Sequence, residues 1–244
     1  MSIKYKSYSK ENNMDNSLKE VTFIIHTFKR PECLKKLQDS IKKFYPDTPM
    51  LVYDDSEDDK GLSWGRNYLV SQVKTPYYLL LDDDFVFTPN TKVELLLDRI
   101  KDHDIVGGSL FQDGEIRHYE GRYELKEGHL KYIPSTTEPL DFVFNFFLAK
   151  REVTGWDERL KMAEHTAFFL SNKGRWKIGY EPQCIITHMP KKEGQYLLYR
   201  NRAWKYFDDY MIWNNIETVE NFEGGVYKLG DYKQYQKDYE DSIS

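Results

Sequence analysis

Cysteine is scarce in this 244-residue chain: only Cys33 and Cys184 are present, far apart. Two cysteines do not make a disulfide framework, so both read as buried thiols in a reducing compartment. Long apolar runs are missing as well. No stretch of about 18 apolar residues occurs, which excludes a membrane-spanning helix in this sequence. Positive charge is not in excess either: 35 Lys and Arg face 40 Asp and Glu, a formal net charge of −5. With no global basic field, nucleic acid is not an expected partner. An anionic ligand must then be captured locally, by an arginine, a helix N-terminus or a metal. Residues 1–20 lack the apolar centre of a signal peptide. They read as a polar leader, and a cytoplasmic location is expected. The chain does have material for a core, with 40% hydrophobic and 16% aromatic residues. One large α/β domain accommodates that length.

Against this background Asp82-Asp83-Asp84 stands out. The triplet follows the apolar run Tyr77-Tyr78-Leu79-Leu80-Leu81, opened by Pro76, and precedes Phe85-Val86-Phe87. The run reads as a buried strand. Carboxylates crowded at its end repel one another and lose solvation, so they need a counter-charge. A hard divalent cation supplies it, held by one or two carboxylates together with a ligand's phosphates. In open α/β sheets, ligands bind in the crevice beyond the strands' carboxyl ends.

The rest of the chain supports a sheet of that kind. Strands are expected at Val21–Ile25, Met50–Tyr53, Tyr77–Leu81 and Ile105–Gly108. Helices alternate with them: one opened by Pro31 and running to Phe44, one around Arg66–Val73, and one near Lys92–Lys101. That order predicts a mostly parallel central sheet flanked by helices on both faces. Residues 109–135 alternate polar with apolar positions and read as antiparallel strands, with Glu127-Gly128 as a turn. A helix is expected at Ala163–Ser171 and a last short strand at Cys184–His188. An aromatic helix follows from Glu193 to Trp213, then a polar, tyrosine-rich tail. Its segment Gln195–Phe207 mixes basic and aromatic residues. It is expected to pack on its own domain, with peripheral contact to an anionic membrane surface as the alternative.

Taken together, several segments resemble the GT-A nucleotide-sugar glycosyltransferases, glycosyltransferase family 2 in particular. The nearest likeness is to the catalytic domain of the ganglioside β1,4-N-acetylgalactosaminyltransferases. The segments are Thr27-Phe28-Lys29-Arg30, Ser40–Pro46, Asp54-Asp55-Ser56, Gly65-Arg66-Asn67, Asp82–Phe87, Val106-Gly107-Gly108, Asn145–Ala149 and His165 ahead of Phe168-Phe169-Leu170. The likeness spans residues 21–190. It implies a nucleotide-binding half at about 21–108 and an acceptor-binding half at about 109–190, with 191–244 as a helical extension on the same domain.

The resemblance also implies roles. Thr27, Phe28 and Arg30 after the first strand, Asp54 or Asp55 after the second, and Gly65-Arg66-Asn67 opening a helix are expected to bind the nucleotide, Arg66 meeting anionic oxygen. Asp82 or Asp83 would contact ribose or base. Asp84 is the preferred metal ligand, with Asp82 beside it and His188 as a further ligand. An imidazole there suits Mn²⁺ better than Mg²⁺. Glu164 is the first choice of catalytic base, with His165 as the alternative. Trp156, Asp157 and Glu158 are expected to bind the acceptor. The implied reaction is inverting, metal-dependent transfer from a UDP-sugar, first guess a UDP-N-acetylhexosamine, to a hydroxyl of a glycan or lipid-linked acceptor. Alternatives are another nucleotide-sugar, such as an activated rhamnose or glucose, or a catalytically inactive relative that only binds. Donor sugar, acceptor and oligomeric state are not legible at this stage.

Overall fold

Strand alternation builds two hydrophobic layers on one sheet. The computed structural model describes residues 18–190 and 203–231. In β1 (Val21–Thr27) every residue is buried, and successive side chains point to opposite faces. Phe23 and Ile25 meet Leu79 and Leu81 on one face, while Ile24 meets Tyr78 and Leu80 on the other. β2 (Met50–Asp54) and β3 (Tyr77–Asp82) pair with β1 in parallel.

Helices cover both layers. In α1 (Pro31–Phe44), Pro31 occupies the first turn, where its missing N–H costs nothing. Cys33, Leu37 and Ile41, spaced by one helical turn, are buried there. α2 (Leu62–Gln72) covers the opposite face through Leu69 and Val70. After β4 (Phe85–Val86), α3 (Val93–Arg99) packs on the α1 side and leads to β5 (Ile105–Gln112).

The second half of the chain completes the sheet. β6 (Glu115–Arg117) turns back on β5, and β9 (Phe147–Lys150) inserts antiparallel between β3 and β5. β10 (Ile178–His188) runs parallel to β5, with a bulge between Glu181 and Ile185. The order is β2-β1-β3-β9-β5-β10-β4, with β6 beside β5. β1, β2, β3, β5 and β10 share one direction, as a mostly parallel sheet requires.

A second, four-stranded sheet comprises β7 (Gly121–Lys126), β8 (His129–Pro134), β11 (Thr218–Glu220) and β12 (Val226–Lys228). Glu127 and Gly128 both have positive φ, 49° and 77°, the backbone that a two-residue hairpin turn demands. Tyr123, Leu130, Val219 and Tyr227 from this sheet enter the α2-side core. Phe168 and Phe169 of α4 (Glu164–Ser171) and Tyr210 and Met211 of α5 (Ala203–Trp213) join them.

Two expectations change. The strand predicted at Cys184–His188 is the end of the longer β10; Pro182 and the bulge interrupt its pattern. The tail is not merely polar, because β11 and β12 add to the second sheet. Of the helix expected from Glu193, Ala203–Trp213 is helical and the part before Ala203 lies outside the described residues. No helix among the described residues is long and apolar enough to cross a membrane.

One pairing matters most for the site. β4 runs antiparallel to the end of β10, with His188 opposite Phe85. Met189 N–H donates to the Asp84 carbonyl at 2.9 Å. The sheet itself therefore carries His188 to the aspartate triplet, about a hundred residues away in sequence.

Candidate active site

A cleft of about 440 Å³ opens beyond the carboxyl ends of β1, β3 and β10, where an open α/β sheet places its ligands. Its walls bring together Phe28 and Arg30 from the loop after β1, Arg66 from α2, and Asp82, Asp83 and Asp84 from the end of β3. Glu164 and His165 from the start of α4 and His188 from β10 complete this set. Nine of the residues singled out in the sequence thus share one cavity.

Two arginines organise the carboxylates. Arg30 donates through Nε and Nη2 to Asp83, and through Nη1 to Asp84 Oδ2 at 2.8 Å. Thr27 Oγ1 donates to the same Asp83 at 2.6 Å. Asp83 is fully buried and committed to these donors, so its task is to hold Arg30. Arg66, 3% exposed, bridges Asp82 Oδ1 at 3.0 Å and Glu164 Oε1 at 2.5 Å. Four carboxylates face two guanidiniums, a local excess of two negative charges when all are ionised.

Burial resists that charge. It raises the Asp82 carboxyl, with Arg66 opposing, and pushes Asp83 up to about 7 against the pull of Arg30 and Thr27. Asp84 behaves differently. Burial works against its charge too, but His188 and Arg30 prevail and hold it below the usual carboxylate range. Burial lowers the His165 imidazole, which favours its neutral form.

His188 gives a test of cation fit. Its Nδ1 lies 2.7 Å from Gln112 Oε1, and its Nε2 lies 3.4 Å from Asp84 Oδ1. With Nδ1–H donating to Gln112, Nε2 faces a carboxylate oxygen, and the space between must hold a proton or a cation. Two ligands each about 2.1 Å from a metal in a tetrahedral or octahedral shell stand roughly 3.0–3.4 Å apart. Asp84 and His188 fit that edge, and Gln112 anchors the imidazole as an outer-shell partner would. No three His, Cys, Asp or Glu side chains among the described residues form a closed metal cage. A cation here would complete its shell with ligand oxygens or water, as hard cations at phosphate sites do.

The loops that aim these groups are strained. Ala163, at the N-terminal boundary of α4, has φ 59° and ψ 23°, and Lys29, just before Arg30, has φ 55°. The left-handed region costs a side-chain-bearing residue about 1–2 kcal/mol. In both places the residue that follows projects into the cleft.

Several residues expected in the site work elsewhere. Asp55 is fully buried and accepts the Lys60 and Gly61 N–H groups at 2.7 Å each, closing the loop before α2. Asp54 accepts from Ser56 N–H at 3.0 Å in a local turn. Gly65 is a packing residue: a Cβ there would lie 2.2 Å from the His26 ring. Asn67 braces the loop after β9, donating to the Trp156 carbonyl and the Glu158 carboxylate, each at 2.9 Å. Trp156 is 3% exposed and stacks on Phe168 at 4.3 Å, so its ring is covered and the acceptor role expected of it does not fit. Asp157 is engaged with Arg159, and neither Asp157 nor Glu158 lines the cleft. Conversely, the cavity includes Gln112, Tyr119, Phe144 and Asn145. Of these, Asn145 had a visible signal, as the polar member of Phe142-Val143-Phe144-Asn145-Phe146-Phe147-Leu148.

Comparison with known proteins identifies the family. Residues 56–155 match the family model Glycosyl transferase family 2. Beta-1,4 N-acetylgalactosaminyltransferase 2 of Mus musculus is 37% identical over 202 residues, covering 69% of this chain and 39% of that protein. Beta-1,4 N-acetylgalactosaminyltransferase 1 of Homo sapiens is 33% identical over 210 residues, covering 70% and 39% respectively. The chain thus spans about two fifths of the length of these relatives. Among solved structures, S. aureus TarS 1-349 in complex with UDP-GlcNAc superposes with a TM-score of 0.55 at 13% identity, over 78% of this chain and 65% of that one. TarS 1-349 alone gives 0.50 at 12% identity, over 78% and 64%. These structures share the GT-A fold with the chain.

Proposed function

We propose that this chain, a glycosyltransferase family 2 relative of GT-A fold, transfers a sugar from a UDP-sugar to a hydroxyl of a glycan or lipid-linked acceptor, with inversion. A UDP-N-acetylhexosamine is the favoured donor, consistent with the names of the two relatives and of the UDP-GlcNAc complex. The observation that carries the reading is the cleft's carboxylate excess at the sheet's carboxyl rim, with Asp84 and His188 facing each other across 3.4 Å. A cation held between Asp84 and His188 would offset the repulsion that a diphosphate meets from these carboxylates.

Asp84 and His188, with Asp82 nearby, would hold Mn²⁺ or Mg²⁺. The ion, when bound, supplies Lewis acidity toward the departing diphosphate. Arg30 sits beside Asp84 and adds fixed positive charge at that end. At the other end, Glu164 Oε1 is held by Arg66, leaving Oε2 to accept the acceptor hydroxyl's proton. Arg66 fixes the carboxylate's orientation, so the base is positioned before the acceptor arrives. His165 places Nε2 2.7 Å from the Val143 carbonyl. That contact consumes its N–H and steadies the start of α4, so Glu164 is the base in this scheme. Attack from the face opposite the diphosphate inverts the anomeric centre.

The test is turnover of UDP-N-acetylhexosamine with Mn²⁺. Glu164→Gln is expected to lower the rate about 10²–10⁴-fold, the range for general base catalysis, while UDP still binds. Asp84→Ala is expected to abolish Mn²⁺-dependent UDP binding and turnover together. Retained turnover in Glu164→Gln would remove the base assignment. Tight UDP binding without dependence on Asp84 would remove the metal assignment.

A further inference from the structure

We infer that Asn145 is the residue that reads the transferred sugar. This inference rests on the UDP-sugar reading above and deepens it. Asn145 lies in the loop entering β9, half-buried, and lines the cleft. Its neighbours in the chain fix where it stands. The Val143 carbonyl meets His165 Nε2 at 2.7 Å, which ties residue 143 to the start of α4 and the Glu164 end. The Phe144 ring packs on Phe85 and on the His188 imidazole, with centroids 5.9 and 6.1 Å apart, which ties residue 144 to the aspartate end. Phe146 is fully buried, and its carbonyl accepts Gly108 N–H at 3.0 Å. The loop is thus pinned on both sides of Asn145, which lines the same cleft as Glu164, Asp84 and His188.

The proposed reaction places the sugar in this cleft, between its two ends. In an inverting transfer the anomeric carbon lies between the departing phosphate oxygen and the hydroxyl facing the base. A carboxamide there offers one acceptor oxygen and two donor hydrogens, a match for a pyranose hydroxyl pair or an acetamido group. No hydrogen bond from the Asn145 side chain to another described residue is seen, whereas the cleft's other amide, Gln112, is committed to His188. A polar side chain embedded in a seven-residue apolar run, with no structural partner, is available for a ligand.

The experiment separates sugar recognition from nucleotide recognition. Dissociation constants of UDP and of UDP-N-acetylhexosamine are measured by calorimetry on the full chain with Mn²⁺, for wild type, Asn145→Ala and the near-isosteric Asn145→Asp. Asn145→Ala is expected to bind UDP within about twofold of wild type, since the lost hydrogen bond falls on the sugar alone; Asn145→Asp adds a charge to the cleft, so only its ratio of the two constants is read. The ratio of the UDP-sugar constant to the UDP constant should rise at least about fivefold in Asn145→Ala. Asn145→Asp keeps the side chain's size and guards against a packing effect, and it should raise the same ratio because the donor hydrogens are gone. An unchanged ratio in both variants, or an equal loss of UDP and UDP-sugar, overturns the assignment and leaves the transferase reading intact. If wild type binds no UDP compound, the transferase reading fails and this assignment fails with it.

Discussion

Arg30 and Arg66 each clamp two carboxylates within one cleft, yet they are built in different ways. Arg30 reaches neighbours that one strand end supplies in sequence, Asp83 and Asp84, and its side chain keeps 12% exposure at the cleft rim. Arg66 lies deeper, at 3%, and joins Asp82 to Glu164, which is 98 residues away. One clamp shapes the charge of a single strand end; the other fastens the first half of the fold to the start of α4. The same guanidinium–carboxylate chemistry therefore serves local electrostatics in one case and long-range assembly in the other. The mechanism proposed above, with a base opposite a leaving group, needs both, because the two ends of the cleft come from different halves of the chain.

The comparison predicts unequal costs. Arg66→Met strands the buried Glu164 carboxylate and leaves the partly exposed Asp82 unpaired; breaking a buried pair by removing one partner costs about 3–5 kcal/mol. Arg30→Met should cost less, because water can reach the rim and Thr27 still serves Asp83. The pH dependence adds a second signature. Burial already raises Asp82, with Arg66 opposing, so losing Arg66 raises its folded-state pKa further. A raised carboxyl stabilises the fold relative to the unfolded chain at low pH, and that advantage disappears as pH rises through the folded value. Arg66→Met should therefore lose stability as pH rises above the ordinary carboxylate range and recover as pH falls, in urea titrations. Equal losses for the two variants, independent of pH, would break the distinction.

A smaller effect sharpens the Arg30 side. Thr27→Val keeps the volume in a buried position but removes the donor to Asp83 Oδ2. A hydrogen bond to a charged group contributes about 1.5–3 kcal/mol. With Asp83 less well held, Arg30 should loosen too, and UDP affinity should fall by a few-fold while the base end is untouched. Calorimetry and thermal melts on the same variant check both outcomes. A melt unchanged from wild type would mean Asp83 is adequately satisfied by Arg30 alone.

What sequence could reveal follows the same division. β1, β3 and α1 were legible because burial is continuous or strictly periodic and Pro31 and Pro76 mark the boundaries. The aspartate triplet was legible because three adjacent carboxylates beyond an apolar strand have few physical uses. Interactions that close over long separations were not. Nothing local in Arg66 names Glu164 as its partner, and three-residue β11 and β12 are too short to show a period. Asp55 looked like a ligand-binding carboxylate because a buried acid that caps backbone N–H groups has the same sequence appearance as one facing a nucleotide. Trp156, beside Gly155 and Asp157, reads as an acceptor contact, and only its stack on Phe168 shows that packing claims its ring. Ala163 gave no sign of its left-handed backbone, which sequence reveals chiefly through glycine or asparagine.

A pair outside the cleft supplies the mildest contrast. Asp104 accepts from Lys177 N–H and from Lys150 Nζ, both at 2.9 Å, near the amino ends of β5 and β10. Burial works against its charge, but the Lys177 N–H and the Lys150 side chain prevail and lower the carboxyl below its ordinary range. A depressed carboxyl contributes stability that is fully present above the unfolded value, about 3.9, and is lost as pH falls through the folded value. Because both side chains are partly exposed, the contribution should be under about 1 kcal/mol. Asp104→Asn should therefore be slightly less stable than wild type at pH 7, with the gap shrinking as pH falls below about 4. Added salt should narrow the gap at pH 7, whereas the Arg66 clamp, buried from counter-ions, should hardly respond. If Asp104→Asn and Arg66→Met showed the same salt response, burial would not be what separates the cleft's clamps from an ordinary ion pair.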